Sequence, residues 1–445
     1  MSSKTQTVNQ NSGFAGWAEK IFKLRENKTD VRTEIIAGFT TFMTMAYILI
    51  VNPLILGETG MDKGALFTAT ALSAAVATLV MAFHANYPFA LAPGMGLNAF
   101  FAFTVVIGMK YSWEVALTAI LIEGIIFIIL SVTRVREAIV NAIPLTIKHA
   151  VSVGIGLFIA FIGVRSAGIV VNSDDTAVTL GNLTSPQVAV ALVGLVVIGY
   201  LLAKGVKGAI LIGILVATVV GIPLKVTPMP SALISAPPSL SPIFFKFDFS
   251  KILTGEFLIV MFTFLFVDMF DTIGTLVGVA SKADMLDKEG KLPRAKQALL
   301  ADAIGTTFGA VVGTSTVTTY VESAAGVAEG GRTGLTALTT AILMLLALLF
   351  SPILTIVPGA ATAPALIIIG LFMMTPITKI NLEDFTEGIP AFLTIIMMPF
   401  AYSIAEGLVF GIVSYVVLKV ITGKARDVSI TMYILAILFA IKSVM

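Results

Sequence analysis

Three carboxylates occupy positions where a lipid bilayer strongly disfavours a charge. Asp268 and Asp271 lie in the apolar run GEFLIVMFTFLFVDMFDTIGTLVGVA (255–280), and Glu322 lies in GTSTVTTYVESAAG (313–326). A charge near the bilayer midplane costs at least ~2.5 kcal/mol on insertion scales, so such residues normally face a cavity and bind or relay something. Their positions therefore predict a transporter.

The two aspartates are spaced to act together. Asp268 lies about 13 residues after Gly255, which at a rise of about 1.5 Å per residue places it roughly 20 Å along a helix, near mid-membrane. Asp271 follows at i+3, on the same face of that helix. Two ionised aspartates this close in a low dielectric would repel, so we expect at least one proton to be shared or retained. Asp268, Asp271 and Glu322 are therefore candidate proton-coupling residues.

The composition places the chain in a lipid bilayer. Of its 445 residues, 57% are hydrophobic and 12% are charged, and the mean hydropathy is +0.99. A soluble globule of this size needs more polar surface than that. Because about 20 apolar residues cross the hydrocarbon core as a helix, we predict fourteen spans and a surplus apolar segment at 428–443. The fourteen are 36–56, 65–85, 88–108, 114–133, 144–164, 186–203, 207–224, 255–279, 294–312, 313–330, 333–357, 359–376, 385–400 and 403–421.

The distribution of charge predicts the orientation. A net charge of +2 is too small to indicate a nucleic-acid partner. If the polar segment 1–33, which lacks a signal-peptide pattern, lies inside, the loops after the even-numbered spans carry most of the basic residues, as cytoplasmic loops do. We therefore expect a multi-pass protein of the cytoplasmic membrane with a cytoplasmic N-terminus. The basic residues are Arg134, Arg136, Lys204, Lys207, Lys282, Lys288, Lys291, Arg294, Arg332, Lys379, Lys419, Lys424 and Arg426.

Residues that hold metals are scarce. The sequence has no cysteine, which excludes disulfides, thiolate metal sites and cysteine nucleophiles. Its two histidines, His84 and His149, lie near predicted helix ends and suit interfacial or capping roles. We therefore expect no metal and no cofactor. The candidate proton-coupling residues indicate a proton gradient as the driving force.

The chain divides near residue 250 into two sets of seven spans. Because seven is odd, the two halves must have opposite orientations in the membrane. The third span of each half is broken: 88–108 begins with prolines and glycines, and 313–330 begins with a Thr/Ser/Val run that favours an extended strand. Such paired broken segments are typical of inverted-repeat transporters and mark their binding sites.

These patterns predict an all-α polytopic membrane protein. It would have fourteen transmembrane segments in a 7+7 inverted repeat, with short extended strands in segments 3 and 10. Non-helical backbone at membrane depth survives where it is buried in protein or lines a cavity. We expect the two strands to meet, each followed by a half-helix that begins near Met95 and near Tyr320, with both N-termini converging on one pocket.

The side chains near this pocket suit a flat, neutral heterocycle. Asp268 and Glu322 would accept hydrogen bonds from ring N–H groups. The amide of Asn98 would pair with a carbonyl or an exocyclic amine, because it donates and accepts. Phe100 or Phe264 would pack on a ring face.

Other interpretations of these residues stay open. An intramembrane carboxylate can be a structural partner between helices, and phenylalanines in apolar helices mostly face lipid or the core. For Glu123, Asp302 and Glu406 we favour structural pairing or gating, because none adjoins a broken segment. An anion transporter for sulfate or bicarbonate is the alternative on the same fold, although three acids disfavour an anion. An intramembrane aspartyl protease is remote, because Asp268 and Asp271 lie one turn apart on one helix. We expect no enzymatic activity.

Four runs of the sequence resemble one known family. They are similar to motifs of the AzgA-type purine nucleobase permeases, a branch of the nucleobase symporters that includes the uracil and xanthine permeases, over nearly the whole chain. The runs are TTFMTMAYILIVNP (40–53), APGMGLNAFF (92–101), FLFVDMFDTIGTLVG (264–278) and GTSTVTTYVESAAG (313–326). The resemblance implies the uracil-permease fold. Its implied divisions are a cytoplasmic segment 1–33, a core domain of 34–133 and 252–357, a gate domain of 134–251 and 358–427, and an extra apolar segment 428–445.

The resemblance also implies an activity and the residues that perform it. Members of the family import hypoxanthine, guanine or adenine, driven by protons. We therefore expect proton-coupled purine import by an elevator-type alternating-access mechanism, and the resemblance suggests a homodimer through gate helices. By motif position, the substrate-binding roles carry over to Asp268, Glu322 and Asn98, with a functional contribution from Asp271 and backbone contacts at Gly94 and Val321.

Overall fold

The chain forms a bundle of membrane helices that is interrupted by two short crossed strands. A computed structural model describes residues 13–133, 144–283, 285–287 and 292–444, so Arg134, Arg136, Lys288 and Lys291 lie outside the described residues. The first half contains α1 (Phe14–Phe22), α2 (Val31–Met45), α3 (Ile48–Gly57), α4 (Lys63–Val80), β1 (Leu91–Pro93), α5 (Met95–Ala99), α6 (Trp113–Thr133), α7 (Leu145–Ser166), β2 (Val170–Ser173), β3 (Ala177–Leu180), α8 (Pro186–Ala203) and α9 (Ala209–Gly221). The second half contains α10 (Gly255–Lys282), α11 (Ala295–Val312), β4 (Val317–Thr319), α12 (Ser323–Ala328), α13 (Gly334–Ala347), α14 (Gly359–Met373), α15 (Phe385–Phe400), α16 (Ile404–Ile421) and α17 (Ile430–Val444).

All fourteen predicted spans correspond to elements of this bundle. Nine helices among the described residues are long and apolar enough to cross a membrane, the first of them being α2 and α3 together. Turns of π-helix prolong α4 to Ala85 and α5 to Gly108. Segments 3 and 10 each consist of a strand and a short helix. The predicted all-α fold with a 7+7 inverted repeat and two short strands is therefore confirmed.

The structure differs from the sequence-based expectation in two details, and it also shows where the surplus segment lies. Helix α9 is shorter than the predicted span 207–224, because Pro223 has no N–H to continue the helical ladder. The antiparallel hairpin β2–β3 between α7 and α8 was not predicted. The surplus segment forms α17, which packs against α16 and places the ring of Phe439 6.1 Å from that of Phe262 in α10.

Polar side chains fix where the helices begin. At the start of α2, Asp30 accepts hydrogen bonds from the backbone N–H groups of Arg32 and Thr33. Glu34 reaches from α2 to the start of α13, where it accepts from the Thr336 hydroxyl at 2.6 Å. These contacts anchor helix ends that are far apart in sequence. Similar caps at the starts of α4, α8, α10, α13, α15 and α16 are Asp62, Ser185, Thr254, Thr333, Asp384 and Ser403.

The helices pack extensively within two groups. In the first group, α11 packs against α4 and α6, α13 packs against α2 and α4, and α10 packs against α6. In the second, α7 packs against α14 and α15, α15 against α16, and α8 against α9 and α14. The groups approach closely where α5 meets α7, because a Cβ atom at Gly96 would lie 2.7 Å from Cγ2 of Ile155. The candidate site lies along this boundary.

Gly305 provides a test of the packing beneath the crossed strands. A Cβ atom there would lie 2.5 Å from Cβ of Ala77 and 3.1 Å from Cγ1 of Val317 in β4. We expect Gly305→Ala to destabilise the protein by about 1–3 kcal/mol, because overpacking forces neighbours apart. Thermal unfolding of the detergent-purified protein measures this. Gly199→Ala in α8, where the added atom meets nothing within 4 Å, is the matched control, and equal melting temperatures would contradict the packing.

Candidate functional site

The two broken segments cross through a short antiparallel ladder. Strand β1 pairs with β4 in the register Leu91↔Thr319, Ala92↔Thr318 and Pro93↔Val317. Two further backbone bonds extend the ladder, from the Gly94 N–H to the Thr316 carbonyl and from the Tyr320 N–H to the Ala90 carbonyl, both at 2.9 Å. The Tyr320 hydroxyl also donates to the Pro93 carbonyl at 2.6 Å. The extended stretches therefore meet, as the sequence predicted.

A short helix follows each strand. Helix α5 begins at Met95, directly after Gly94, as predicted. The residues from Tyr320 to Glu322 form a tight turn, and α12 begins at Ser323, slightly later than the predicted start near Tyr320. The backbone bond from Ser323 N–H to the Tyr320 carbonyl, at 3.1 Å, closes this turn. Glu322 is thus the residue that immediately precedes α12.

Two neighbouring cavities adjoin the crossing. The smaller, about 70 Å³, lies against Gly94, Met95 and Tyr320. The larger, about 580 Å³, extends to Lys207 and Pro376, whose loops the charge distribution predicts to be cytoplasmic. Residues that line both cavities are Asp271, Thr275, Val321, Glu322, Ile369 and Met373. The larger cavity therefore leads from the crossing toward the predicted cytoplasmic side.

Two carboxylates face these cavities. Asp271 is partly exposed on α10, and a Cβ atom at Gly94 would lie 3.7 Å from its Oδ2 and 2.6 Å from Cγ2 of Thr318. A side chain at position 94 would therefore fill the space beside this carboxylate. Glu322 accepts a hydrogen bond from the Tyr47 hydroxyl on its Oε1, at 2.5 Å. Asp271 and Glu322 together give the shared part of the cavities its acidic character.

Asp268 lies in different surroundings from Asp271. It is fully buried, and the Thr272 hydroxyl lies 3.1 Å from its Oδ1, 2.7 Å from Oδ1 of Asp302 and 2.8 Å from the hydroxyl of Thr318. Asp268 lines neither cavity, whereas Thr318 lines the smaller one. The structure thus brings Asp268 close to Asp302 and one layer behind the cavity. Its direct contact with a substrate stays a prediction.

The remaining predicted side chains are buried beside the crossing. The Asn98 Oδ1 accepts a hydrogen bond from the Ser315 hydroxyl, while its Nδ2 has no hydrogen-bond partner among the described residues. The rings of Phe100 and Phe264 contact each other edge to face, with centroids 4.7 Å apart. None of the three lines either cavity, so their substrate contacts stay predictions. Of the other predicted contacts, Val321 lines both cavities and Gly94 lines the smaller one.

Sequence reasoning missed several residues that line the site. Tyr47 and Thr44 come from the first span, where a hydroxyl on an apolar helix gives no signal of its role. Ile369 and Met373 of α14 provide apolar surface in both cavities. Thr275 lies one helical turn after Asp271, and this i+4 spacing is a signal that could have identified it.

A membrane-embedded cavity at the meeting point of two broken segments from opposite repeats is the arrangement of a transporter. Comparison with known proteins agrees with this class. Residues 32–410 match the family Xan_ur_permease, described as a permease family, and the chain belongs to that family.

Two relatives show which branch of the family the chain resembles. The chain is 48% identical over 429 residues to the guanine/hypoxanthine permease PbuG of Bacillus subtilis (strain 168), covering 94% of this chain and 97% of that protein. It is 45% identical over 443 residues to the adenine permease AdeP of Escherichia coli (strain K12), covering 99% and 98%. The sequence-based resemblance to AzgA-type purine permeases is therefore confirmed.

A solved structure supports the fold. The transmembrane domain of the cyanobacterium bicarbonate transporter BicA matches with a TM-score of 0.63, covering 85% of this chain and 97% of that chain. The sequences are 13% identical, so this likeness concerns the fold alone.

The course of the larger cavity can be tested with single cysteines, since the chain has none of its own. Gly278 lines that cavity, and a Cβ atom there meets nothing within 4 Å. We expect a membrane-impermeant maleimide to label Gly278→Cys from the side of the Lys207 loop. Thr263→Cys, at a fully buried position of the same helix, is the control and should stay unlabelled. Equal labelling of both, or none of Gly278→Cys, would contradict the described cavity.

Proposed function

We propose that this permease imports purine nucleobases together with protons across the cytoplasmic membrane. The observation that carries the proposal is the pair of carboxylates, Asp271 and Glu322, that lines the shared part of the cavities. The names of the relatives, which are permeases for adenine or for guanine and hypoxanthine, support the substrate class. The N-terminus lies in the cytoplasm in this proposal, and the larger cavity opens inward.

The site suits a neutral purine for a chemical reason. A purine presents N–H donors along its ring edges, and ionised carboxylates are pure acceptors that bind such donors strongly. The Tyr47 hydroxyl occupies Oε1 of Glu322, so the orientation of that carboxylate is fixed before a ligand arrives. Ile369 and Met373 offer an apolar surface to the ring face.

Proton coupling is assigned to Asp268, Asp271 and Glu322. Protonation of a carboxyl group in the cavity removes a charge that would otherwise have to cross the membrane. Asp268 contributes although it is set back from the cavity, because Thr272 and Thr318 connect it by hydrogen bonds to the cavity wall. Direct substrate contact by Asn98, Phe100 and Phe264 requires a rearrangement of their present packing.

Alternating access follows from movement of one helix group against the other. In this proposal, the core of 34–133 and 252–357 carries the purine past the gate of 134–251 and 358–427, in the manner of an elevator. The extensive packing within each group supports a rigid-body movement. A homodimer through gate helices would hold the gate still while the core moves.

The two alternatives fit the site less well. An anion such as bicarbonate would meet two carboxylates in the cavity and would be repelled by them. An aspartyl protease needs two carboxylates that share one proton across a cleft, whereas Asp268 and Asp271 lie in different surroundings.

Uptake measurements test the proposed function. In cells that lack other purine permeases, we expect the chain to accumulate labelled hypoxanthine, guanine or adenine, and an uncoupler to abolish accumulation. Asp271→Asn and Glu322→Gln should each lower uptake at least about tenfold, because each removes a charged hydrogen-bond acceptor. The exposed Glu383→Gln is the control for a neutralised acid at the surface. Accumulation that persists with the uncoupler would exclude proton coupling, and competition by bicarbonate or sulfate would favour the anion transporter.

An aromatic contact on the outer side tests the movement. The ring of Phe103, in segment 3, lies 5.8 Å from that of Tyr402, which follows α15 and also packs 5.2 Å from Phe158 of α7. Phe103 belongs to the proposed core, whereas Tyr402 and Phe158 belong to the gate. A short bifunctional thiol reagent that links Phe103→Cys to Tyr402→Cys should therefore stop uptake, and cleavage of the link should restore it.

The matched control links two positions inside the gate. Phe158→Cys with Tyr402→Cys has a similar ring separation, and its link should leave uptake intact. If both links stop uptake equally, or if neither does, the boundary between core and gate does not run between Phe103 and Tyr402.

A further inference from the structure

Most of the hydroxyl groups that line the two cavities already form a hydrogen bond within the chain. The Tyr47 hydroxyl donates to Glu322, the Tyr320 hydroxyl donates to the Pro93 carbonyl, and the Thr318 hydroxyl bonds to Thr272. In the larger cavity, Thr44, Ser152 and Thr375 bond to the carbonyls of Thr41, Met373 and Phe372.

Thr275 is different. It lines both cavities and is partly exposed, yet its hydroxyl makes no hydrogen bond to any residue that the structure describes. The usual partner of a helical threonine is the carbonyl four residues earlier, and Thr263 on the same helix uses it, donating to Ile259 at 2.8 Å. The Thr319 hydroxyl also lacks a partner, and Thr319 lines the smaller cavity, but its hydroxyl oxygen has almost no accessible surface. Among the described residues that line both cavities, Thr275 is therefore the one that offers an unbonded hydroxyl on a partly exposed side chain.

We propose that Thr275 is a specificity-determining residue that binds the exocyclic group at position 6 of the purine. This inference rests on the proposed function. Thr275 and Asp271 lie one turn apart on one face of α10, so they can contact neighbouring polar groups along one edge of a planar ring. Asp271 accepts from N7–H, which the 7H tautomers of hypoxanthine, guanine, adenine and unsubstituted purine all carry, and Thr275 binds the neighbouring group at position 6.

A hydroxyl at this position has a consequence for substrate range. It can donate to the carbonyl of hypoxanthine or guanine, and it can accept from the amine of adenine, because a hydroxyl has one donor and two acceptor sites. An ionised carboxylate there could only accept, so it would bind the amine of adenine and repel the carbonyl of hypoxanthine or guanine. Thr275 thus admits both 6-oxo and 6-amino purines, whereas unsubstituted purine has no group for it to bind.

The test compares three competitors in cells that take up labelled unsubstituted purine. For Thr275→Val, which keeps the shape of the side chain and removes the hydroxyl, we expect the half-inhibiting concentrations of hypoxanthine and adenine to rise about tenfold. The value for unlabelled purine should stay unchanged. Thr275→Ser, which keeps the hydroxyl, should resemble the wild type for all three ligands.

The controls distinguish a failure of the role assigned to Thr275 from a failure of the proposed purine transport. The Thr263 hydroxyl is bonded inside the same helix and lies away from the cavities. Thr263→Val should therefore not discriminate among the three competitors. An equal shift for all three ligands in Thr275→Val, or no shift at all, would overturn the role of Thr275 while wild-type uptake upholds the proposed function. If wild-type cells accumulate none of labelled hypoxanthine, guanine or adenine, the proposed function itself fails. Thr275→Ala supplies the same comparison if the valine variant does not reach the membrane.

Discussion

The site depends on the requirement that backbone polar groups within a bilayer find partners inside the protein. Segments 3 and 10 leave helical geometry at membrane depth, so the N–H and carbonyl groups of β1 and β4 must be bonded elsewhere. The two strands bond to each other, and Gly94 and Tyr320 extend their ladder at its two ends. The ladder thereby holds the starts of both short helices side by side. Side chains of neighbouring helices complete the pairing, because the hydroxyls of Thr78 and Thr306 bond to the backbone of Leu91 and Val317.

The crossing also separates two polar layers. On one side, Asp271 and Glu322 face the cavities. On the other, Thr272 joins Asp268 to Asp302, and the Thr316 hydroxyl bonds to Glu123 at 2.8 Å. A hydroxyl has a single proton to donate, so Thr272 cannot donate to both carboxylates at once. Thr272 therefore donates to one of the two carboxylates at a time, and Thr318 connects this buried layer to the cavity wall.

Patterns along the chain predicted the fold better than they predicted the contacts of individual side chains. Glycines and prolines in segment 3 and β-branched residues in segment 10 identified both strands, because these residues act on local backbone geometry. The spacing of Asp268 and Asp271 indicated one helix face, yet i+3 still leaves about 60° between side chains on a helix. The packing of neighbouring helices determines which carboxylate lines the cavity, and the spacing of the residues in the sequence does not encode that packing.

The sequence also did not predict the contacts between segments that are distant along the chain. The Tyr47 hydroxyl binds Glu322 across 275 positions of sequence, and nothing in the first span marks Tyr47 as a partner for an acid. The phenylalanines Phe100 and Phe264 were chosen as faces for a ring, but each is the other's neighbour in the structure. Composition indicates that such side chains are buried, whereas the partner of each depends on how segments 3 and 8 dock.

The distribution of cavity-lining residues between the two helix groups bears on how a carrier could work. Asp271, Thr275 and Glu322 belong to the group that contains both strands, and within that group α10, which carries Asp271 and Thr275, packs against β4 and α12. Ile369 and Met373 belong to α14 in the other group and contribute apolar surface. Movement at the boundary between the groups would therefore replace an apolar wall and preserve the polar contacts. A bound ring would keep its hydrogen bonds, which are costly to break in a dry site, while its weaker, non-directional contacts are exchanged.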